Sequence, residues 1–368
     1  MKGILISVGV MIMLLITIIA ISRMNKQSKS PTQAVTLPII TQQAPTIKNQ
    51  EPVFIPPRIT LDRIFESDKK WVATLSAQRI TKIIATGDVI PARSVNVQTR
   101  KRRDFTWAFA NTAETLRSAD YTIINLETPL LEDCQSTDSG MRFCGDSLHT
   151  EGFKFAGIDA ANFANNHMGN YGQFGVEQTR KLLIENGIMP FGIQGLDIVT
   201  IKGKRVALVG YNDIPPLDGL VAVATEEKIT EDIKEAKKKS DLIIVSFHWG
   251  EEYVAIPSAR QRLLGRLAID SGADLVLGNH PHWIQPVEVY NEKVIMYAHG
   301  NFVFDQMWSE ETKLGVIGKY SFFDTTLIDV EFIPIHIASY GQPYILEDVA
   351  KESVLDRLKS LSYKFSSL

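Results

Sequence analysis

The stretch LIIVSFHWG, residues 242–250, decides the fold class. It is apolar except for one serine until it closes on a histidine, a tryptophan and a glycine. A continuous apolar run of this length is typical of a strand that is buried on both faces, as in a sheet covered by helices. Five further runs of the same kind are KIIATG (82–87), YTIINLE (121–127), RVALVGYN (205–212), ADLVLGNH (273–280) and VIMYAHGN (294–301).

Helical patterns lie between these runs. The three clearest are GVEQTRKLLIENG (175–187), EEKITEDIKEAKKKS (226–240) and SARQRLLGRLAIDSG (258–272), the last of which closes on Ser-Gly, a common helix stop. The segment TTLIDVEFIPIHI (325–337) indicates further strand. The alternation predicts an α/β fold, a layered sandwich of mixed β-sheets flanked by helices, over residues 81–348.

The N-terminal residues indicate a membrane anchor. The apolar run from Ile4 to Ile21 reaches the length that a bilayer span requires, which predicts a transmembrane helix within residues 1–24. A flexible linker rich in Pro, Gln, Ser and Thr follows at residues 25–58. The remaining segments are a helical lead-in at 59–80, which packs on the main domain or lies on the membrane surface, and a C-terminal tail at 349–368.

Two rules give opposite orientations for the anchor. Arg23, Lys26 and Lys29 follow the apolar run, and the positive-inside rule would keep them in the cytoplasm. Anchors at the extreme N-terminus, however, commonly initiate export. We expect a single-pass protein of the cell membrane with an extracytoplasmic main domain.

Composition and cysteine content exclude several classes of protein. The net charge of −3 argues against a protein that holds nucleic acid through bulk positive charge. A hydrophobic content of 45% with 22% charged residues is typical of a globular protein rather than a disordered one. The two cysteines, Cys134 and Cys144, bracket a short polar loop. They form one local disulfide in an oxidising compartment or remain two unrelated thiols.

Polar residues fall where the predicted strands end. In open α/β sheets, ligands bind beyond the carboxyl ends of the strands. Taken singly, such a residue is usually a turn aspartate or a packed histidine, but His280 and His282 are more specific. Alternate residues of an extended segment face opposite ways unless the backbone turns around a ligand. The strand-end residues are, in chain order, Asp88, Glu127, Asn166, His167, His248, His280 and His282.

Together these side chains predict a metal site. Two carboxylates, one amide and several imidazoles suit one or two divalent ions such as Mn, Fe or Zn. Two cations about 3.5–4 Å apart need a bridging carboxylate, and they lower the pKa of a shared water. A separate histidine then donates a proton to the leaving oxygen.

Six motifs give the chain a family resemblance. In order and spacing they resemble the CapA (PgsA) poly-γ-glutamate capsule biosynthesis family, which is related in pattern to the calcineurin-like metallophosphoesterases. The resemblance spans residues 81–344. The motifs are GDVIPARSV (87–95), NLETPL (125–130), ANNHMGNYG (164–172), HWGEEY (248–253), GNHPHWIQPVEVY (278–290) and YAHGNFVFDQ (297–306).

The resemblance implies a role for each residue. His167 is the general acid, Glu127 takes the place of a bridging aspartate, and Arg93 holds an anionic group of the substrate. Asn301, Asp305 and Gln306 lie at the rim of the site, where Asn301 and Asp305 are expected to contact the substrate. The implied metal ligands are Asp88, Glu127, Asn166, His248, His280 and His282.

Two departures from the metallophosphoesterase pattern leave the number of metal ions open. Metallophosphoesterases usually carry a histidine where this chain has Ile90, and the longer Glu127 replaces their bridging aspartate. Both changes are expected within the CapA family. His299 stands where that family more often has an aliphatic residue, and it is an extra polar contact or a surface imidazole.

The resemblance implies a role in synthesis or export of poly-γ-glutamate, an anionic polymer. Three activities stay open: a metallophosphatase-like hydrolase with His167 as acid, a non-catalytic anion-binding scaffold, and a metal-dependent amide hydrolase that acts on the polymer. The expected partners are an anionic polymer or phosphoester substrate, the membrane through the N-terminal helix, and polymer synthase or export subunits. Nucleic acid is not expected.

Overall fold

A computed structural model describes residues 56–66, 69–135 and 137–367 of the chain. The predicted anchor at residues 1–24, and the predicted linker up to residue 55, lie outside these described residues. Within the described residues, no helix combines the length and the apolar character that a bilayer crossing demands.

The first large β-sheet contains eight strands. They are β1 (Ile80–Val89), β2 (Tyr121–Leu126), β5 (Ala160–Asn162), β6 (Met189–Phe191), β13 (Asn301–Val303), β14 (Leu314–Phe323), β15 (Thr326–Ala338) and β16 (Gln342–Ile345). Seven follow the order β16–β15–β14–β1–β2–β5–β6, and β13 pairs with β1. The neighbours from β1 to β6 are parallel and those from β16 to β1 antiparallel, so the sheet is mixed.

The second large sheet contains six strands. They are β7 (Asp197–Ile201), β8 (Lys204–Asn212), β9 (Leu242–His248), β10 (Leu275–Asn279), β11 (Val287–Tyr290) and β12 (Lys293–Met296), in the order β11–β12–β10–β9–β8–β7. The four central strands are parallel, and the strands at both edges are antiparallel to their neighbours. A separate short pair consists of β3 (Leu130–Leu131) and β4 (Gly145–Asp146).

Eight α-helices accompany the sheets in the described residues. They are α1 (Leu61–Ile64), α2 (Arg93–Arg102), α3 (Ala113–Arg117), α4 (His149–Ala156), α5 (Gly172–Glu185), α6 (Glu226–Lys239), α7 (Ala259–Ser271) and α8 (Asp348–Ser366). Short 3-10 helices span Lys70–Thr74, Trp107–Phe109, Met168–Tyr171 and Glu311–Lys313. The three predicted helices are α5, α6 and α7. Ser258 begins α7 with a capping box, and Gly272 ends it with a φ of 124°.

Successive side chains of the central strands lie in different apolar cores. Ile83 of β1 and Ile244 of β9 lie in the core between the two sheets. Their neighbours face outward: Ile84 packs with α2, α3, α4 and α5, and Ile243 packs with α6 and α7. Helices therefore cover the outer face of each sheet, which confirms the predicted α/β layered sandwich.

Both ends of the described chain pack on this sandwich. Ile64 of α1 lies in the core between the sheets, and Trp71 of the lead-in contacts a small apolar cluster around Ile80. The lead-in therefore packs on the main domain. Residues 349–368 had no predicted element, but α8 occupies most of them and buries Val354 and Leu358 in the core between the sheets.

Cys134 and Cys144 form a disulfide bond, so the first of the two alternatives for them holds. The bond closes the segment that joins β3 to β4. Because a cross-link restricts the unfolded chain, it stabilises the native state by about 2–3 kcal/mol for a loop this short.

We predict that the unreduced protein, once unfolded in denaturant, contains no titratable thiol. Reduction should lower the free energy of unfolding by about 2–3 kcal/mol, measured by urea titration. The double variant Cys134→Ser with Cys144→Ser is the control, because its stability should not respond to reductant. Two free thiols in the unreduced protein would contradict the bond.

Candidate metal centre

The candidate site lies where the carboxyl ends of parallel strands from both sheets meet. Asp88 is the next-to-last residue of β1, and Glu127 directly follows β2. On the second sheet, His248 is the last residue of β9 and His280 directly follows β10. The site therefore occupies the position that the order of strands predicts.

Close contacts hold the two sheets together at this point. The main-chain N–H of His280 donates to Asp88 Oδ2 over 3.3 Å. Within the first sheet, a Cβ on Gly87 would lie 2.1 Å from the carbonyl oxygen of Gly300, the residue before β13. Only glycine therefore allows β1 to lie so close to β13.

The backbone turns sharply at the two paired histidines. His280 has a φ of 96° and His282 a φ of 57°, in the left-handed region that non-glycine residues rarely adopt. The turn brings their ring centroids to 5.8 Å from each other. Such strain is typical of functional sites.

Four side chains converge on one point near His248. Its Nε2 lies 2.9 Å from Asn166 Oδ1, 3.1 Å from His280 Nδ1 and 3.3 Å from Glu127 Oε1. These atoms come from four separate segments of the chain. One carboxylate, one amide oxygen and two imidazoles suit the coordination of a divalent transition metal.

A second group adjoins the first. His282 Nδ1 lies 3.1 Å from Asp88 Oδ2. The ligand atoms of Asp88, Glu127 and His248 lie within 4.8 Å of one another, and so do those of Glu127, His280 and His282. Because Glu127 belongs to both sets, it has the position that a bridging carboxylate needs.

The surroundings of Glu127 test whether a cation fits. The side chain is fully buried, and neither carboxylate oxygen accepts a hydrogen bond from a described residue. A buried carboxylate without a partner is costly, and buried charges are normally paired or bound to metal. The donor set therefore fits a divalent cation held between Glu127 and the neighbouring imidazoles.

The pKa values describe a centre that protons occupy when metal does not. Burial and the nearby Asp88 carboxylate raise the pKa of Glu127 well above its ordinary value. Burial opposes a charged His282, but the hydrogen bond to Asp88 and the negative charges of Glu127, Asp88 and Glu252 prevail and raise the pKa of His282 to about 9. For Asp88, His282 outweighs the effect of burial and lowers the pKa.

The other two imidazoles of the centre are neutral. Burial lowers the pKa of His248 to about 3 and that of His280 well below its ordinary value. A neutral imidazole has a nitrogen lone pair free to coordinate a metal.

Ile90 supplies no ligand. Its side chain is fully buried against Ala92, Phe143 and Phe304. Asp88 therefore lacks the neighbouring imidazole that the resemblance to metallophosphoesterases would place at position 90.

Asn301 lies beneath the site rather than at its rim. It is fully buried, and its Oδ1 lies 2.8 Å from His282 Nδ1. The reason is the pairing of β13 with β1, which sets Asn301 opposite Asp88 in register. Asn301 thus orients a candidate ligand.

Arg93 and Asp305 lie together at the edge of the site, where they form an ion pair. Asp305 Oδ2 also accepts the main-chain N–H of Ser94 over 3.0 Å. Because Asp305 balances the charge of Arg93, the guanidinium is not an unpaired anion-binding group. Gln306 donates to the Tyr253 hydroxyl over 2.9 Å.

His167 stands beside the candidate ligands. Its ring stacks on Phe143 with centroids 4.2 Å apart, and Nδ1 lies 3.1 Å from Asn170 Oδ1. Burial lowers the pKa of His167 to about 4, although the hydrogen bond with Asn170 opposes this effect. His167 directly follows Asn166 in the chain, in the order of the Asn-His pair that the resemblance implies.

Three further residues shape the site without having been predicted to do so. Asn125 Nδ2 donates to Asp88 Oδ1 over 2.8 Å and lies 3.3 Å from His248 Nδ1. Its signal in the sequence was an amide inside an otherwise apolar run. Asn162 holds Asn125 with a hydrogen bond of 3.0 Å. Glu252, within HWGEEY, adds negative charge that acts on His248 and His282.

His299 is a buried polar contact, not a surface imidazole. It is fully buried, with Nδ1 3.1 Å from the Gly278 carbonyl oxygen and Nε2 3.0 Å from the Tyr320 hydroxyl. Its two ring nitrogens are therefore used by the fold.

The layered sandwich has a counterpart among solved structures. A solved structure of a novel phosphatase from Mycoplasma pneumoniae shares the fold, with a TM-score of 0.50 and 15% identity. The match covers 74% of this chain and 96% of that one.

The family follows from the sequence comparisons. The family model described as "Bacterial capsule synthesis protein PGA_cap" matches residues 82–306, and the chain belongs to this family. "Capsule biosynthesis protein CapA" of Bacillus anthracis is 33% identical over 70% of this chain and 67% of its own length. "PGA biosynthesis protein CapA" of Bacillus subtilis is 30% identical over 73% of this chain and 77% of its own length. The resemblance to the CapA family is confirmed.

We predict that Mn²⁺ or Zn²⁺ displaces at least about one proton per chain at pH 7, because a ligating imidazole or carboxylate must be deprotonated. His282, with its pKa of about 9, and Glu127, with its raised pKa, are the sources. Affinity should therefore rise with pH up to about 9. The measurement is calorimetric titration in buffers of different ionisation enthalpy.

The variant His336→Gln is the matched control for this titration. His336 lies on β15, where its Nε2 faces Glu310 at 3.6 Å rather than the candidate ligands. Its removal should leave proton release unchanged. Metal binding without any proton release would contradict the assignment.

Proposed function

We propose that this chain is a metal-dependent phosphoester hydrolase that serves poly-γ-glutamate capsule biosynthesis. The observation that carries the proposal is the buried Glu127 carboxylate, whose oxygens accept no hydrogen bond from a described residue and which belongs to both candidate ligand groups. An anion-binding scaffold would not need such a carboxylate at the centre of its site.

Four residues would hold the first ion: Glu127, Asn166, His248 and His280. Asp88 and His282 would complete a second position, which has fewer ligands because Ile90 replaces an imidazole. A bound divalent ion of the Mn, Fe or Zn type supplies charge that stabilises a phosphoryl oxygen and activates water.

His167 would protonate the leaving oxygen from Nε2, since Nδ1 is engaged by Asn170. Without a ligand the ring is neutral, because burial lowers its pKa to about 4. A negatively charged phosphoester beside the ring would raise that pKa. Substrate binding would thus favour the protonated ring that the reaction needs.

We place the domain outside the cell, on a single-pass anchor within residues 1–24 and a linker at 25–58. The Cys134–Cys144 disulfide supports this location, because such bonds persist in oxidising compartments. Polymer synthase or export subunits are the proposed partners. The Bacillus relatives are named for capsule and PGA biosynthesis, which supports partners in polymer synthesis.

We predict that the Mn²⁺-loaded full-length chain hydrolyses members of a panel of phosphomonoesters and phosphodiesters. His167→Ala should reduce turnover by about 10²–10⁴-fold while metal content stays unchanged, because only the proton donor is lost. His280→Ala should lose both metal and turnover, and the control His336→Gln should retain both. The measurements are steady-state kinetics and elemental analysis of each variant.

Three other outcomes would contradict the proposal. Undiminished turnover in His167→Ala would show that His167 is not the general acid. Release of glutamate oligomers from poly-γ-glutamate, with no phosphoester cleaved, would replace the proposal with an amide hydrolase. Metal and polymer binding without any turnover would replace it with the anion-binding scaffold.

A further inference from the structure

The segment that the disulfide closes lies against the turn that carries His167. Arg142 Nε donates to the main-chain oxygen of Asn170 over 3.0 Å. The main-chain N–H of Phe143 donates to Asn170 Oδ1 over 2.6 Å. The Phe143 ring also stacks on His167, with an angle of 28° between the ring planes. Three contacts therefore join this segment to the turn.

The contact with Phe143 fixes the orientation of the Asn170 amide. A main-chain N–H can only donate, so the amide atom that faces it must be the oxygen. The same oxygen lies 3.1 Å from His167 Nδ1. A carbonyl oxygen accepts two hydrogen bonds, so it can serve Phe143 and His167 together.

The tautomer of His167 follows from this geometry. Because Asn170 Oδ1 can only accept, the proton of the neutral ring must sit on Nδ1. Among the described residues, none forms a hydrogen bond with Nε2. The lone pair of the neutral ring is therefore on Nε2, the atom opposite Asn170.

We propose that Asn170 is a positioning residue for His167, and that Phe143 and the disulfide-closed segment hold Asn170 in place. The hydrogen bond keeps the proton on Nδ1, so Nε2 is the only ring atom that exchanges a proton with a ligand. The catalytic consequence rests on the proposed function, but the tautomer does not.

Phe143 fixes the plane of the ring as Asn170 fixes its tautomer. Its side chain is 1% exposed and meets Phe304 edge-on at 5.8 Å, so it cannot move freely. The Arg93 guanidinium lies 4.9 Å from the centroid of the Phe143 ring. The next residue, Cys144, ties the segment to Cys134. The imidazole is therefore held by stacking and by a hydrogen bond.

A purely structural role is the competing explanation. The main-chain N–H of Asn170 donates to the His167 carbonyl oxygen over 3.0 Å, which closes the 3-10 turn without the side chain. If the side chain merely supported the turn, its removal would not change which nitrogen of His167 is protonated.

The test is long-range ¹H–¹⁵N correlation NMR of the metal-free full-length chain, labelled only at its seven histidines, at neutral pH. His167→Gln identifies the signal of His167. We expect a proton on Nδ1 in the wild-type chain and in Asn170→Asp, whose carboxylate also accepts. Asn170→Ala should shift the proton to Nε2. A wild-type proton on Nε2, or an unchanged spectrum in Asn170→Ala, would overturn the proposal.

Kinetics with two esters test the consequence separately. With a poor leaving group, Asn170→Ala should lower kcat about tenfold or more with little change in KM, because protonation limits that reaction. An ester with a good leaving group should be much less affected, and Asn170→Asp should restore the rate. Equal slowing of both esters would overturn the positioning role.

The matched control is Asn186→Ala. Asn186 bonds only the Leu182 carbonyl oxygen through its side chain, at the end of α5, and its loss should alter neither spectrum nor rate. If the wild-type chain cleaves no ester, the proposed function fails, and the NMR result still decides the tautomer.

Discussion

The candidate site depends on one buried carboxylate, Glu127, whose oxygens accept no hydrogen bond from a described residue. The side chain is fully buried next to Asp88. Such burial is unfavourable by several kcal/mol unless a cation compensates it. The neighbouring imidazoles of His248 and His280 are neutral and face the same space. The arrangement is therefore consistent with a bound cation, and protons on Glu127 and His282 take its place when no cation is bound.

The packing of the two sheets creates the space between Glu127 and these imidazoles. The carboxyl ends of parallel strands from two sheets meet, and the hydrogen bond from His280 to Asp88 fixes their separation. The glycine at position 87 permits the close approach of β1 to its neighbour. The left-handed backbone at His280 and His282 adds local strain, which the packed sheets on either side sustain. The stability of the apolar cores therefore holds these polar groups close together.

The sequence predicts the layers and the side chains that converge at the candidate site because both depend on local patterns. Apolar runs define the strands, and the residue that ends a parallel strand must lie at the ligand edge. The remaining features depend on pairings between distant segments. Asn301 is buried because β13 pairs with β1, and Arg93 is neutralised by Asp305, more than two hundred residues away along the chain. No local pattern predicts that Asn170 contacts both Phe143 and His167.

The most direct test is anomalous diffraction from crystals grown with Mn²⁺, collected on both sides of the manganese absorption edge. The account predicts an anomalous peak within coordination distance of Glu127, Asn166, His248 and His280. A weaker second peak would lie between Glu127, Asp88 and His282. Clear density for these side chains with no peak among them, at a manganese concentration that saturates other known sites of this type, would contradict the account.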